Sequence, residues 1–286
     1  MRKTARTMAF IAIVVSAFTG VTTGTAGAVM VGDYVALGDS AASGPLIPPQ
    51  DPASPGCARS LVDYPHIVAQ KLGVALTDVT CSGATTADMT GRQTTGNGPV
   101  DPQLNALSAG TRLVTLTIGA NDIGLVGAAS GCINLLPGIQ PDCVDKLTAG
   151  GHDQLAEAIA TFEPRWGTLL DAIRRLAPNA TIFVAEYGTY LPHNGCWPTA
   201  PMSARDANYI QATIGRLDAA MAREAAAHGA RYLDILAASV GHDVCQSPQV
   251  KWFESVIPTS SAAPLHPNAN GMAGIGSFLA TGIMRA

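Results

Sequence analysis

Charge and aromatic rings are both scarce in this chain: Asp, Glu, Lys and Arg supply 13% of its residues and Phe, Trp and Tyr 5%. No Lys/Arg stripe of the kind that neutralises phosphates is present, which argues against a nucleic-acid partner. So few rings also leave few platforms on which a sugar could stack. There is no Gly-x-x-x-x-Gly-Lys-Ser/Thr phosphate loop, no Gly-x-Gly-x-x-Gly in a strand-to-helix turn and no Gly-x-Ser-x-Gly elbow. Nucleotide enzymes and the ordinary α/β-hydrolase layout are thereby removed. None of the six cysteines belongs to a Cys-x-x-Cys pair, and no His-Glu-x-x-His occurs among the six histidines. Neither a metal nor any other cofactor is expected.

Long apolar runs are lacking too. The stretch 8–18 is apolar but too short to span a bilayer. It follows Arg2, Lys3 and Arg6 and precedes the small residues Ala26-Gly27-Ala28, the three-part layout of a secretory signal peptide. Cleavage after Ala28 is expected, leaving residues 29–286 as one secreted, extracellular domain without a stable membrane anchor. Losing the three cations takes the formal charge from −4 to about −7. All six cysteines follow residue 28, as suits an oxidising compartment, although six allow fifteen pairings. No repeat, low-complexity tail or linker divides the remainder, and a monomer is expected.

What is present is a regular alternation of patterns. Strands are predicted over 34–37, 76–79, 112–118, 181–185 and 231–235, and helices over 61–72, 152–177, 203–228 and 268–284. Gly229 closes the third helix as a C-cap glycine. Strands separated by helices of this length make right-handed βαβ units. The expected fold class is therefore α/β, a three-layer α/β/α sandwich with a five-stranded, mostly parallel sheet. Ligands of such sheets bind beyond the carboxyl ends of the strands. The stretches 45–59, 88–108, 124–151, 188–201 and 237–264 read as ordered loops that wall a pocket there. Trp197 and Trp252 lie in them, either against that pocket or packed beside a disulfide.

Within this frame one stretch stands out. Val35-Ala36-Leu37 delivers Gly38-Asp39-Ser40 onto a small-residue turn ending at Gly44. A serine so placed is either an N-cap or a nucleophile, and a nucleophile needs a general base and oxyanion donors. Gly83 in Cys81-Ser82-Gly83-Ala84-Thr85, Asn121 in Gly119-Ala120-Asn121-Asp122 and His266 in Pro264-Leu265-His266-Pro267 follow in order. Read singly, Gly83 is a turn residue and Asn121 a loop cap.

Together, the four blocks resemble the SGNH branch of the GDSL hydrolases, in particular its secreted actinobacterial esterases and lipases. The resemblance runs through nearly all of residues 29–286 and implies the flavodoxin-like SGNH hydrolase fold. It implies a serine ester hydrolase forming an acyl-enzyme without a cofactor, with Ser40 as nucleophile and His266 as general base. The oxyanion hole would comprise the Ser40 and Gly83 N–H groups and the Asn121 amide. Disulfides Cys57–Cys81, Cys132–Cys143 and Cys196–Cys245 are implied as well. Many family members carry aspartate three residues before the histidine; here that position is Ala263. The resemblance then implies a Ser-His dyad in which the Ala263 backbone carbonyl orients the ring, with Glu254 and Asp243 as alternatives. Asp39 and Asp122 are expected to bond loop amides. The expected substrate is a small-molecule or lipid ester. A phospholipid or acetylated glycan, acyl transfer, and an inactive binding protein remain as alternatives.

Overall fold

The computed structural model of the protein describes Met1 and residues 34–286. The expected signal peptide and its cleavage site lie outside the described residues. Strands β1 (Tyr34–Gly38), β2 (Leu76–Asp78), β3 (Leu113–Thr117), β4 (Thr181–Ala185) and β5 (Arg231–Leu233) form one five-stranded sheet. Its order is β2-β1-β3-β4-β5, and each neighbouring pair is parallel. The two central strands are buried along their whole length. That suits near-continuous apolar runs covered on both faces rather than alternating ones.

Four long helices cover the sheet. Tyr64–Leu72 (α2, following a one-turn helix α1 at Ser40–Ser43) packs on α5 (Ala269–Met284), and α3 (Gln154–Leu176) packs on α4 (Ala204–Ala227). Right-handed crossovers require this split, because the chain moves one way from β1 to β2 and the other way from β3 to β5. The divergence lies between β1 and β3, so a crevice opens beyond their carboxyl ends. Two glycines let the strand ends crowd together there. A Cβ on Gly38 would lie 2.7 Å from the Thr117 carbonyl oxygen. Gly119 has φ +123°, and a Cβ there would press on the buried Trp166 ring at 3.2 Å.

The three disulfides close as expected, Cys57–Cys81, Cys132–Cys143 and Cys196–Cys245. Two features differ from the sequence reading. Helix α5 begins at Ala269 rather than at Asn268, because Asn268 caps it by accepting a bond from Gly271 N–H (2.9 Å). The stretches read as loops also contain short helices at Thr86–Thr90, Leu125–Gly131 and Ile235–Ala238 and a hairpin of Gln93–Thr95 with Gly98–Val100. Each is too brief to show a period in sequence.

Candidate active site

Ser40 is the first residue of α1, immediately after β1. Asp39 caps that turn by accepting a bond from Ala41 N–H (2.8 Å), and Gly44 closes it at φ +65°. The serine is 8% exposed and faces an open pocket. Its hydroxyl donates to Nε2 of His266 at 2.7 Å, across 226 residues of chain. The N-cap reading of Ser40 is therefore not met, since the cap is the neighbouring aspartate, and the serine instead meets a base.

The other nitrogen of His266 fixes the tautomer. Nδ1–H donates to the carbonyl of Pro264 at 2.7 Å. The acceptor expected at Ala263 is therefore displaced by one residue. Leu265 adopts φ +62°, which folds the backbone back so that the ring meets the carbonyl two residues earlier. Neither alternative carboxylate orients the ring. Asp243 accepts from Cys245 N–H and Gln246, while Glu254 accepts from Lys251, Thr259, Ser260 and Asn268. Burial alone would raise Glu254, but those bonds, led by Lys251, hold its pKa at about 2. Its N–H donates to the His266 carbonyl (2.9 Å), so the ionised carboxylate stiffens the histidine loop from behind. Burial pushes His266 below its ordinary 6.5, opposed in part by the Pro264 carbonyl. The ring is a neutral acceptor at neutral pH.

Gly83 and Asn121 arrive from the ends of β2 and β3. Among the described residues, neither the Ser40 nor the Gly83 backbone N–H has an acceptor. Asn121 spends one amide hydrogen on the Ala84 carbonyl (2.9 Å), which aims its side chain and leaves the second hydrogen toward the pocket. Asp122 locks the two blocks together by accepting from Thr86 N–H (3.0 Å) and from the Thr86 hydroxyl (2.7 Å). Three donors on three separate segments are thus held by carboxylates and caps rather than by one continuous element.

A further residue of this network has no sequence signature. Tyr187, just past β4, donates to Asp39 Oδ2 (2.5 Å) while its oxygen accepts from Ala120 N–H (2.9 Å). One buried phenol therefore couples the serine turn to the Asn121 turn. Burial raises the Asp39 pKa to about 7, with the Tyr187 and Ala41 bonds opposing that rise. Tyr187→Phe leaves Asp39 with one donor fewer and Ala120 N–H without its acceptor. A loss of about 1–3 kcal/mol in unfolding free energy is expected, measured by denaturant titration, with a fall in kcat exceeding any change in KM.

The pocket beside Ser40 and His266 holds about 810 Å³ of empty space, its open mouth included. Its walls are mainly aliphatic, with Leu125, Ile133, Leu191, Met202, Ile214 and Val244 among them beside Tyr187 and Tyr190. Neither Trp197 nor Trp252 belongs to the wall: Trp197 is 53% exposed beside Cys196, and Trp252 stacks on His242 at 4.4 Å. Away from this site, Asp63, His66 and Asp78 come together. Burial raises both carboxyls, Asp63 to about 7, and Oδ2 of each lacks a donor among the described residues. Cys132, Cys143 and Asp206 also converge, but the cysteines are joined to each other.

This arrangement suits attack of a hydroxyl on a carbonyl whose apolar substituent lies in the pocket. Residues 36–273 match the model of the GDSL-like lipase/acylhydrolase family. Lipase 2 of Streptomyces coelicolor is 39% identical over 246 residues, covering 84% of this chain and 81% of that one. Crystal structures of phospholipase A1 from Streptomyces albidoflavus NA297 and of an extracellular lipase from Streptomyces rimosus each superpose with a TM-score of 0.71 at 29% identity. They cover 89% and 88% of this chain and 99% and 98% of their own. A serine, an asparagine and a histidine lining one pocket, and a family match over most of the described chain, lead to one conclusion: the protein belongs to the GDSL-like lipase/acylhydrolase family and is an ester hydrolase.

Proposed function

We propose that the chain is a secreted, monomeric, cofactor-independent carboxylesterase or lipase that works through a Ser40–His266 dyad and an acyl-enzyme. The observation that carries this reading is the 2.7 Å bond from the Ser40 hydroxyl to His266 Nε2, made beside an apolar pocket. Ser40 Oγ attacks the ester carbonyl carbon as its proton passes to Nε2. The oxyanion is met by the N–H groups of Ser40 and Gly83 and by the Asn121 amide. Collapse breaks the bond to the alcohol, which takes the proton back from His266. Water, deprotonated by the same ring, then attacks the acyl-enzyme and releases the acid and Ser40.

In this dyad the Pro264 carbonyl holds the ring and meets the imidazolium with a partial negative charge rather than a full one. Asp243→Asn is therefore expected to leave kcat within about threefold of wild type, far from the ~10⁴-fold loss on altering a true triad aspartate. The pH profile follows from the lowered His266 pKa. Protonation removes the base, and a depressed pKa postpones protonation to lower pH. The acid limb of kcat/KM is expected below 6.5, the ordinary histidine value. An acid limb above that value would contradict the base assignment.

Aliphatic walls favour an acyl chain over an acetyl group. A phospholipid is a second reading, favoured by the similarity to the Streptomyces albidoflavus phospholipase A1. Secretion is supported by three closed disulfides and by the likeness to the extracellular Streptomyces rimosus lipase. The test is hydrolysis of p-nitrophenyl esters from acetate to palmitate by the wild type and by Ser40→Ala. Activity that rises with acyl length and vanishes in the variant is expected; equal rates in both proteins would refute the reading.

A further inference from the structure

Large aliphatic side chains stand in water around the mouth of the pocket. Leu135, Leu136 and Ile139 are 65%, 52% and 78% exposed on the loop closed by the Cys132–Cys143 disulfide. The root of that loop is pocket wall: Ile133 lines the cavity, and Asn134 N–H donates at 2.7 Å to the carbonyl of Pro201, which also lines it. A second loop brings Ile257, 74% exposed, directly after Val256, another lining residue. Clustering of this kind is not what solvent-facing loops of a soluble chain require, since contiguous exposed apolar patches mark interaction sites.

The loop is also built to keep its shape. Besides the disulfide, Leu136 N–H donates to Asn134 Oδ1 (3.0 Å), and the N–H groups of Ile139 and Gln140 both donate to the Leu136 carbonyl (3.0 Å). Little ordering is left for a binding event to supply. Its charge pattern selects the partner. No Asp, Glu, Lys or Arg occurs between Asp122 and Asp142, although the chain carries a formal charge of −4. A tip without ionic groups enters hydrocarbon without desolvating a charge, while the net negative charge disfavours an anionic surface.

We propose that the 133–139 loop, with Ile257, is a docking rim that seats the protein on a neutral or zwitterionic lipid surface. Leu135, Leu136 and Ile139 enter the interface, and the mouth of the pocket then faces the acyl chains directly. An acyl ester passes from lipid to Ser40 along apolar walls without crossing bulk water. The substrate class is accordingly aggregated lipid rather than dissolved ester. This rests on the acyl-ester reading of the Ser40 site.

The experiment is co-sedimentation with sucrose-loaded phosphatidylcholine vesicles, using wild type, Leu135→Ser/Ile139→Ser and Ser40→Ala. Wild type and double variant share one N-terminus, so their difference reads the loop. Wild type and Ser40→Ala are expected to bind alike, and the double variant to bind at least about tenfold more weakly, since each replacement removes several buried CH₂ equivalents. Vesicles enriched in phosphatidylserine should bind wild type less well. Both altered side chains are exposed, so the double variant should keep the wild-type thermal midpoint and its rate on monomeric p-nitrophenyl butyrate. Equal sedimentation of wild type and double variant, or none by wild type, overturns the proposal. So does a wild-type dimer in analytical ultracentrifugation that the double variant abolishes, because the rim would then belong to a second copy. Vesicle binding by Ser40→Ala needs no turnover, and hydrolysis of the dissolved ester needs no vesicle, so failure of the rim and failure of the active-site reading are separable.

Discussion

Ser40→Ala is expected to lower kcat by roughly four to six orders of magnitude while leaving KM within a few fold, because the hydroxyl contributes to bond making and little to substrate binding. His266→Ala should fall in the same range, since the 2.7 Å bond makes the two residues one functional unit. The double variant should then be no worse than the poorer single one. Additive losses would mean that serine and histidine act separately. The thermal midpoint serves as a control: Ser40 donates to His266 alone among the described residues, so its truncation removes no structural cap. Single-turnover release of p-nitrophenol gives the comparison without interference from deacylation.

The second large effect lies at Asn121. Its amide is anchored by the Ala84 carbonyl at 2.9 Å and has one hydrogen left, which the proposed mechanism assigns to the oxyanion. Asn121→Ala should cost roughly 10²- to 10³-fold in kcat, about 3–4 kcal/mol of transition-state stabilisation, with KM little altered. Asn121→Asp is a sharper probe. A carboxylate repels the developing oxyanion and also loses the donor to Ala84, so it should be at least as damaging as alanine despite its matching shape. A kcat for Asn121→Asp close to wild type would remove Asn121 from the oxyanion hole. Gly83 offers no side chain to delete, and its φ of +80° makes any replacement strained, so Asn121 is the residue through which the hole is tested.

How much of this was legible in sequence depends on whether the determinant was local. The five strands were readable because short apolar runs between turn residues need no partner to be recognised, and Leu113–Thr117 is buried on both faces as its composition implies. Ser40, Gly83, Asn121 and His266 could be singled out because the first three sit on small-residue turns after strands, where a parallel sheet gathers its ligand-binding groups, and His266 sits on a proline-bounded turn before α5. The carbonyl that orients His266 was misplaced by one residue. That outcome hangs on Leu265 adopting φ +62°, which nothing in a leucine announces. Tyr187 was invisible for a different reason. It is one tyrosine past one strand, and its meaning comes from Asp39, 148 residues away, and from Ala120. The start of α5 shifted from Asn268 to Ala269 because the Asn268 side chain serves as the cap and so stands outside the helix. The exposed tip of the 133–139 loop lay in a stretch read only as a pocket wall. Wall and rim share one apolar composition: Ile133 lines the pocket while 40% exposed, and Ile139, six residues on, is 78% exposed.

The two tyrosines that reach β3 illustrate the same division. Tyr34 and Tyr64 sit in apolar surroundings that the sequence marks as core, yet their hydroxyls meet Thr115 and Thr117 at 2.8 Å. Those pairs satisfy polar atoms at the sheet centre and leave Thr117 free to donate to the Ala185 carbonyl at the end of β4. The crevice therefore rests on a rigid floor, and the site above it is positioned by hydrogen bonds between strand ends rather than by any single loop.

The most direct measurement is labelling of the protein with an alkyl fluorophosphonate, which reacts with an activated serine hydroxyl, followed by peptide mass mapping. The expected result is one phosphonyl group per chain, carried by the peptide containing Ser40, with esterase activity lost in proportion and labelling abolished in Ser40→Ala. An adduct on a different residue that accounts for the lost activity, or full activity with Ser40 completely labelled, would contradict the assignment of Ser40 as the nucleophile.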